Sequence, residues 1–205
     1  MHFASETDIM PKWQRVTKRL IDIIVSVSGL IVLSPVILYV AIRVYVSSPG
    51  PIIYSQERVG YKRRKFKIHK FRSMYVDAES NGPLLSMHND KRITRWGRIM
   101  RKWKLDELPQ LWNVLVGEMS VVGPRPEREY FINQLEKEQA SFKHILEVKP
   151  GITSLAMIRF GYAGSVKEMS ERMKYDLIYI ERKSLSLDMK IMVDTVKVIL
   201  EAKGQ

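Results

Sequence analysis

The strongest feature of the hydropathy pattern is a long apolar segment, Leu20 to Val46, near the start of the chain. It contains Asp22 and Arg43 as its charged residues, and it is long enough for one helix to cross a hydrocarbon layer of about 30 Å. Ser34 and Pro35 lie in its middle. Proline removes a backbone hydrogen bond and bends a helix, and the serine hydroxyl can satisfy a carbonyl that the bend releases. The segment is therefore predicted to form a helix, a break and a second helix.

Basic residues flank this segment on both sides. Those before it are Lys12, Arg15, Lys18 and Arg19, and those after it are Arg58, Lys62, Arg63, Arg64 and Lys65. The positive-inside rule assigns both ends to the cytoplasm, which one straight helix cannot satisfy. On these residues alone two arrangements stay open: a re-entrant pair of helices that enters and leaves through the same leaflet, and a kinked single span.

Two short stretches after the apolar segment alternate between apolar and polar residues. They are predicted to be strands, Ile52 to Gln56 and Lys65 to Phe71. Lys67 in the second strand and Arg72 just beyond it are candidate phosphate ligands. The alternative for each is a solvated basic side chain, which is the commoner role of a single lysine or arginine.

Residues 90 to 104 combine seven basic residues with regularly spaced apolar ones. This pattern is typical of a helix that lies in a membrane interface, with Trp96 and Trp103 as anchors. Arg101 would be well placed there to meet a lipid phosphate. A nucleic-acid-binding helix has a similar pattern, but the neighbouring apolar segment favours lipid over nucleic acid.

The C-terminal half is predicted to be mostly helical. Glu127 to Val148 has the pattern of a charged, solvated helix, and residues 150 to 153 are predicted to form a turn. Ser165 and Glu168 have the spacing of a capping box at a helix start. Asp188 to Ala202 is a second amphipathic stretch. The apolar stripe of the capped helix consists of Val166, Met169, Met173, Leu177 and Ile180.

Asp106 and Glu107 begin the segment that concentrates candidate chemistry. Pro109 favours the first turn of a helix, which is predicted from about Leu108 and should end at Gly117. Two carboxylates at the positive end of a helix dipole are favoured in their ionised forms, which suits a nucleophile or a ligand for a hard cation. The predicted apolar face of this helix consists of Leu108, Leu111, Trp112 and Leu115.

A predicted strand, Met119 to Val122, and a rigid loop follow this helix. In the loop, Pro124 and Pro126 restrict the backbone on either side of Arg125. A guanidinium held in this way can make bidentate contacts to a phosphate. Each short motif by itself is commoner as a solvated helix start or an ordinary loop.

Composition narrows the classes of protein and of partner. The chain has 205 residues, of which 45% are hydrophobic, and this suffices for a packed domain. It contains no cysteine, which excludes disulfides, thiolate nucleophiles and cysteine metal sites. The net charge of +12 indicates an anionic partner, such as nucleic acid, an anionic membrane surface or a phosphorylated substrate.

Several sequence blocks together resemble the bacterial sugar transferases, the monotopic polyprenyl-phosphate phosphoglycosyl transferases. The resemblance runs from Lys18 to about Leu200. Its blocks are KRLIDI from Lys18, SP at Ser34, GPIIYSQERVG from Gly50, FKIHKFRSM from Phe66, LDELPQLWNVLVGEMSVVGPRPE from Leu105 and KPGITSLA from Lys149.

This resemblance implies a function. Asp106 and Glu107 would be the catalytic pair, with Asp106 as the nucleophile that forms a covalent intermediate and Glu107 as a ligand of Mg²⁺. The reaction would transfer a sugar-1-phosphate from a UDP-sugar to polyprenyl phosphate, release UMP and initiate synthesis of a surface polysaccharide or glycoconjugate. The resemblance also implies a re-entrant membrane helix with Ser34 and Pro35 at its break, on the cytoplasmic face of the bacterial inner membrane. It allows a homodimer and implies no nucleic-acid partner.

One loop departs from the commoner family pattern. Many members carry a glutamine and then an Asn-Gly-Arg or Ser-Gly-Arg triplet, whereas this chain has Met157 and then Arg159-Phe160-Gly161-Tyr162. Arg159 is the candidate replacement for the usual arginine and is included among the predicted substrate ligands. Two other functions remain: a glycosyltransferase that releases UDP, and a non-catalytic basic adaptor for a membrane surface or nucleic acid.

The predicted fold class is therefore α+β. Residues 1–11 would form a mobile tail, 12–48 the re-entrant membrane helices, and 49–205 a small mixed catalytic domain with interfacial amphipathic helices.

Overall fold

The apolar N-terminal segment folds into two helices that meet at an angle of 64°, α1 (Lys12–Val32) and α2 (Ser34–Ser47). In this computed structural model the described residues are 10–78, 85 and 90–201. Most of the predicted tail, residues 1–9, lies outside them. Ser34 Oγ donates to the carbonyl of Ile31 at 2.8 Å, and Pro35 occupies the first turn of α2. The predicted break and its cause are confirmed.

Length and apolarity do not permit any single described helix to cross a membrane, whereas α1 and α2 taken together meet that criterion. Both helices leave large apolar side chains uncovered. Those of α1 include Trp13, Val16, Leu20, Ile24 and Ile31, and those of α2 include Leu38, Tyr39, Ile42, Tyr45 and Val46.

The rest of the chain alternates short strands and helices. In chain order the elements are β1 (Ile53–Val59), β2 (Lys65–Phe71), α3 (Arg95–Lys102), a 3₁₀ turn (Leu105–Glu107), α4 (Gln110–Val116), β3 (Ser120–Val122), α5 (Glu129–Glu138), a 3₁₀ segment (Ala140–Glu147), β4 (Gly151–Thr153), α6 (Leu155–Arg159), α7 (Val166–Glu181) and α8 (Leu185–Leu200). β1 and β2 form an antiparallel hairpin, and β3 and β4 form a parallel pair. The mixed α+β class is confirmed.

The main core lies under α5, α7 and the 3₁₀ segment. The predicted stripe of α7 is part of it, and Ser165 Oγ caps α7 by accepting from the Glu168 N–H at 3.2 Å. The segment from Glu127 to Val148 was predicted to be solvated, and this was wrong, because alternate turns of it bury large side chains. The buried ones are Phe131, Ile132, Leu135, Phe142, Ile145 and Leu146.

Helix α4 presents a different face to the core than the sequence predicts. Trp112 is 54% exposed, whereas Leu111, Asn113 and Val114 are buried. Asn113 accepts from the main-chain N–H of His69 and donates to a carbonyl of the same strand, so a polar side chain joins α4 to β2. The predicted end at Gly117 is confirmed, since this glycine adopts a left-handed conformation with φ 92°.

The residues 150 to 153, predicted as a turn, instead include β4. A three-residue parallel strand has too little pattern of its own, and its pairing partner β3 lies about thirty positions earlier in the sequence.

Helix α1 supplies hydrogen-bond partners to the free edge of β3. Asp22 Oδ1 accepts from Ser120 Oγ at 3.0 Å and from the Val121 N–H at 2.9 Å. Lys18 Nζ donates to the carbonyl of Val122 at 2.9 Å. Both side chains are largely shielded from solvent. Helix α1 and the strand that leads to Arg125 are therefore fixed to each other.

The basic segment of residues 90 to 104 forms the short helix α3, and its apolar residues divide between two environments. Met100 is fully buried against α2 and β2, while Ile99 and Trp103 are 44% and 40% exposed. Trp96 is not an exposed anchor, because its ring packs edge-on against Tyr39 and lies beneath the guanidinium of Arg43. One side of α3 thus exposes apolar residues, and its position in a membrane interface stays a prediction.

Candidate active site

The two candidate carboxylates lie in the 3₁₀ turn that precedes α4. Lys104 adopts a left-handed conformation (φ 57°), which turns the chain between α3 and this 3₁₀ turn. Asp106 and Glu107 are each 6% exposed. The sequence placed them at a helix start, and the structure adds that both are buried.

Three cations surround Glu107. Lys70 Nζ donates to Glu107 Oε1 at 2.9 Å, and the two terminal nitrogens of Arg125 lie 3.2 and 3.3 Å from the same oxygen. Burial alone would raise the pKa of Glu107, but Lys70, Lys104 and Arg125 together hold that pKa well below its ordinary value. We call Glu107, Lys70 and Arg125 the Glu107 cluster.

Asp106 has the opposite electrostatic environment. Its Oδ1 is buried and has no hydrogen-bond partner among the described residues. Burial, and then the negative charge of Glu107, raise the pKa of Asp106, against the opposing effect of Lys70, Arg101 and Lys104. At Asp106, therefore, burial opposes the helix dipole, which was expected to favour the ionised forms of both carboxyls.

A cavity of about 570 Å³ opens beside Asp106. It lies between the β1–β2 hairpin, α3, the Pro-Arg-Pro loop and α7. One part of its wall is apolar and includes Phe71, Met74, Val76 and Phe131. Another part is strongly cationic, which suits an anionic ligand, and it includes Arg58, Lys70, Arg72, Arg101, Arg125 and Arg172.

Three of the predicted substrate ligands line this cavity: Arg72, Arg101 and Arg125. Arg101 Nε donates to Ser73 Oγ at 2.9 Å. Arg72 is 5% exposed and donates to Ser48 at the end of α2. Pro126 lies outside the cavity wall, and its carbonyl accepts from Arg58, so the structure gives it a part in shaping the loop.

The structure does not bring Lys67 or Arg159 to the cavity. Side chains alternate along a strand, so Lys67 lies exposed on the face of β2 opposite to Ile68 and Lys70. Arg159 is exposed at the end of α6. The structure thus places both of these predicted substrate ligands away from the cavity.

Sequence reasoning missed three side chains at the site: Lys70, Lys104 and Tyr162. Residues two positions apart on a strand share one face of it. The apolar Ile68 could therefore have identified Lys70 as a residue of the same face of β2. Lys104 was counted only as one of many basic residues. Lys104 Nζ donates to Tyr162 Oη and lies 4.2 Å from the centre of the tyrosine ring.

A second buried carboxylate, that of Glu127, lies two residues after Arg125 in the sequence. Glu127 accepts from Arg172 through Oε1 and from Arg58 through Oε2, the latter at 3.1 Å. Burial would raise the pKa of Glu127, but the two arginines lower it below its ordinary value. We call Glu127, Arg58 and Arg172 the Glu127 cluster. Nearby, burial raises the pKa of Asp176 to about 7.

No group of three or more histidine, cysteine, aspartate or glutamate side chains within the described residues could hold a metal ion. Asp106 and Glu107 nevertheless fit Mg²⁺, which is commonly bound by one or two carboxylates and otherwise by substrate phosphates and water. Asp106 Oδ1 has no partner, and the hydrogen bonds to Glu107 all fall on Oε1, which leaves Oε2 without one among the described residues.

Several known proteins are similar to this chain over most of its length. A UDP-N-acetylgalactosamine-undecaprenyl-phosphate N-acetylgalactosaminephosphotransferase of Aeromonas hydrophila is 39% identical over 187 residues, which cover 91% of this chain and 44% of that protein. A UDP-glucose:undecaprenyl-phosphate glucose-1-phosphate transferase of Klebsiella pneumoniae is 44% identical over 184 residues, covering 88% and 39%. An exopolysaccharide production protein PSS of Rhizobium leguminosarum bv. phaseoli is 38% identical over 195 residues, covering 88% and 94%.

The chain thus spans about two fifths of the length of the first two relatives and nearly all of the third. The family described as bacterial sugar transferase matches residues 13–202, which include α1 from its second residue onward, α2, the cavity and all the side chains of the Glu107 cluster. On this match and these identities, the chain belongs to the bacterial sugar transferase family.

Proposed function

We propose that this protein transfers a sugar-1-phosphate from a UDP-sugar to polyprenyl phosphate and releases UMP, as the initiating membrane step of a surface polysaccharide or glycoconjugate. The observation that carries the proposal is Asp106 Oδ1, an uncommitted carboxylate oxygen at the wall of a cationic cavity. The relatives from Aeromonas and Klebsiella are named for reactions of this class.

The chemistry follows from the two carboxyls and the cations. An oxygen of ionised Asp106 attacks the phosphorus bonded to the sugar, the bond from that phosphorus to the UMP oxygen breaks, and UMP leaves with the bonding electrons. An oxygen of the polyprenyl phosphate then attacks the same phosphorus and releases the Asp106 carboxylate. Phosphoryl transfer depends mainly on positioning and on neutralising charge, which Lys70 and Arg125 supply from the cavity wall.

Glu107 and Asp106 are the residues that would hold Mg²⁺. When bound, the ion would neutralise the diphosphate of the donor. Glu107 also holds Lys70 and Arg125 in place, so that the cations remain at the wall before substrate arrives.

A lipid acceptor requires a membrane-bound enzyme, and the surface of the chain suits one. Besides α1 and α2, helix α8 leaves an apolar stripe exposed at Met189, Val193, Val196 and Leu200. We propose that α1 and α2 are re-entrant from the cytoplasmic leaflet. Single cysteines at Lys12 and Lys62, in a chain with no cysteine of its own, should both react with a membrane-impermeant thiol reagent only from the cytoplasmic side. Labelling from opposite sides would establish a kinked single span.

The identity of the released nucleotide tests the reaction. Purified protein in lipid is incubated with polyprenyl phosphate and each of a panel of UDP-sugars, and the nucleotides are separated chromatographically. UMP is the expected product. UDP would show that the sugar moves without its phosphate, and release of neither nucleotide from any donor would favour a non-catalytic adaptor.

Intact-protein mass spectrometry tests the covalent step. UDP-sugar alone should leave a sugar phosphate on the protein and release UMP before any lipid acceptor is added. Absence of the adduct under conditions of full turnover would indicate direct attack by the lipid phosphate, with Asp106 reduced to a ligand.

A further inference from the structure

The loop between α6 and α7 directs one side chain into the cavity and another away from it. Gly161 adopts a left-handed conformation (φ 87°), where L side chains are strained. After this turn Tyr162 lines the cavity, whereas Arg159 before it is exposed. In this loop, therefore, a phenol and not the guanidinium of Arg159 reaches the cavity.

The hydrogen bond to Tyr162 fixes the role of its hydroxyl. Lys104 has donors only, so Tyr162 Oη is the acceptor in this contact. The hydroxyl hydrogen must therefore point elsewhere, and no described residue accepts it. Burial, and then the charge of Glu107, raise the pKa of Tyr162, so the phenol stays protonated and remains a donor.

The surroundings of this donor suit an anionic oxygen. Lys104 Nζ and the guanidinium carbon of Arg125 lie 4.2 and 5.7 Å from the centre of the Tyr162 ring. One cation, Lys104, is thus bonded to the hydroxyl, and a second, Arg125, lies near the ring and lines the same cavity. A neutral donor near two cations can complete the coordination of a phosphate oxygen without adding charge.

We propose that Tyr162 is a substrate-binding residue whose hydroxyl, oriented by Lys104, donates a hydrogen bond to an anionic phosphate oxygen of a substrate. The proposal rests on the proposed function for the identity of the substrates. The shared chemistry is the phosphate oxygen, which can belong to the diphosphate of the donor or to the polyprenyl phosphate.

Removal of the hydroxyl alone is the direct test. Tyr162→Phe keeps the ring that packs against Lys104 and Arg125 and removes the donor. A hydrogen bond to a charged group typically contributes enough to change a rate or a binding constant by about 10- to 100-fold. We therefore expect kcat/KM for UMP release to fall by that factor, with an unchanged melting temperature. Arg159→Gln, on the same loop but exposed, is the matched control and should retain the wild-type rate.

Separate titrations distinguish the two phosphates. A fall in kcat/KM for the UDP-sugar, together with slower adduct formation in the absence of lipid acceptor, assigns the contact to the donor. A fall confined to the polyprenyl phosphate titration, with normal adduct formation, assigns it to the acceptor.

A merely structural role for Tyr162, acting through Lys104, predicts a different result in a double variant. If the hydroxyl only positions Lys104, then Tyr162→Phe should cause no further loss in a Lys104→Met background. If it contacts the substrate, the loss should persist in that background.

Wild-type kinetics in Tyr162→Phe, an equal loss in Arg159→Gln, or no further loss in the Lys104→Met background would each overturn the proposal. Failure of the proposed function is recognised separately, because the wild-type protein would then release no UMP from any UDP-sugar.

Discussion

The Glu107 cluster and the Glu127 cluster are built from similar parts but leave different atoms uncommitted. Each has a buried carboxylate with two bonded cations, and each includes residues of the cavity wall. In the Glu127 cluster both carboxylate oxygens accept a hydrogen bond from an arginine. In the Glu107 cluster both cations bond to Oε1, and the neighbouring Asp106 has an oxygen without a partner.

This difference indicates how to distinguish buried charges that take part in a reaction from buried charges that stabilise the fold. A buried ion pair is weak evidence for either role, because its desolvation cost often equals its attraction. An uncommitted oxygen is the better guide where it also lies at the cavity wall, as in Asp106, because a ligand or reaction can use it there. Asp176 Oδ1 is likewise without a partner among the described residues, but Asp176 does not line the cavity. Activity should therefore depend on the Glu107 cluster and Asp106, and stability on the Glu127 cluster.

The largest expected effect is that of Asp106→Asn. Asparagine keeps the size of the side chain and removes the anionic nucleophile, so UMP release should fall by about a thousandfold or more. The melting temperature should stay the same or rise, because the buried carboxyl lacks a partner. The measurements are nucleotide release and thermal unfolding in the same detergent. A variant that still releases UMP at a substantial rate would remove Asp106 from the role of nucleophile.

The next largest expected effect is that of metal removal, which should act through the Glu107 cluster and Asp106 and not through the Glu127 cluster. The Glu107 cluster and Asp106 leave oxygens for Mg²⁺, whereas Glu127 has none. Thorough chelation with EDTA should abolish UMP release, and Mg²⁺ or Mn²⁺ should restore it, with no change in the melting temperature. Activity that survives chelation would contradict the metal-binding role of Glu107.

Glu127→Gln should act mainly on stability. It leaves Arg58 and Arg172 buried without their carboxylate, and loss of one partner of a buried pair typically costs about 3–5 kcal/mol of unfolding free energy. The matched control is Glu129→Gln, whose pair with Lys65 is about half exposed and should contribute little to the unfolding free energy. Denaturant unfolding measures both. Equal effects in the two variants would show that the Glu127 cluster does not support the fold.

The last expected effect is a pH dependence next to the Glu127 cluster, which is smaller per pH unit than the loss in Glu127→Gln. The pKa of Asp176 is about 7 in the folded protein and 3.8 as its ordinary value. Between these values the unfolded chain loses the proton while the folded protein keeps it, so wild-type stability falls as pH rises through this window, by up to about 1.4 kcal/mol per pH unit. Asp176→Asn should lack this loss. The two proteins should have similar melting temperatures near pH 4, and the variant should be more stable at pH 8. A difference that does not vary with pH would contradict the shift.

Local signals in the sequence predicted much of the fold. The bend between α1 and α2 follows from Pro35, and the cap of α7 follows from Ser165 and Glu168, because each cause lies within one turn of its effect. The buried face of α4 could not be predicted in the same way. It depends on Asn113 reaching β2, a contact 44 residues away in the sequence.

The candidate site shows the same limit. The carboxylates, Arg101 and Arg125 were identified in the sequence, since they lie in one motif or just before it. Lys70 was missed in favour of Lys67 because a basic strand does not show which of its faces meets the cavity. Tyr162 was missed in favour of Arg159 because a single left-handed residue, Gly161, determines which side chain points inward.

The hydrogen bonds from α1 to β3 have a consequence for how the protein is made. Asp22 is synthesised 98 residues before Ser120, so at ordinary rates of translation it waits roughly 5 to 20 s for its partner. A lone carboxylate on an apolar helix resists full entry into lipid, by about 2.5–3.5 kcal/mol on insertion scales. We therefore expect α1 to insert stably only after β3 has been synthesised and its Ser120 and Val121 can bind Asp22. If α1 inserts as proposed, this coupling would make assembly of the half that contains β3 and its attachment to the bilayer a single event, and it would disfavour a folded protein that is released from the membrane.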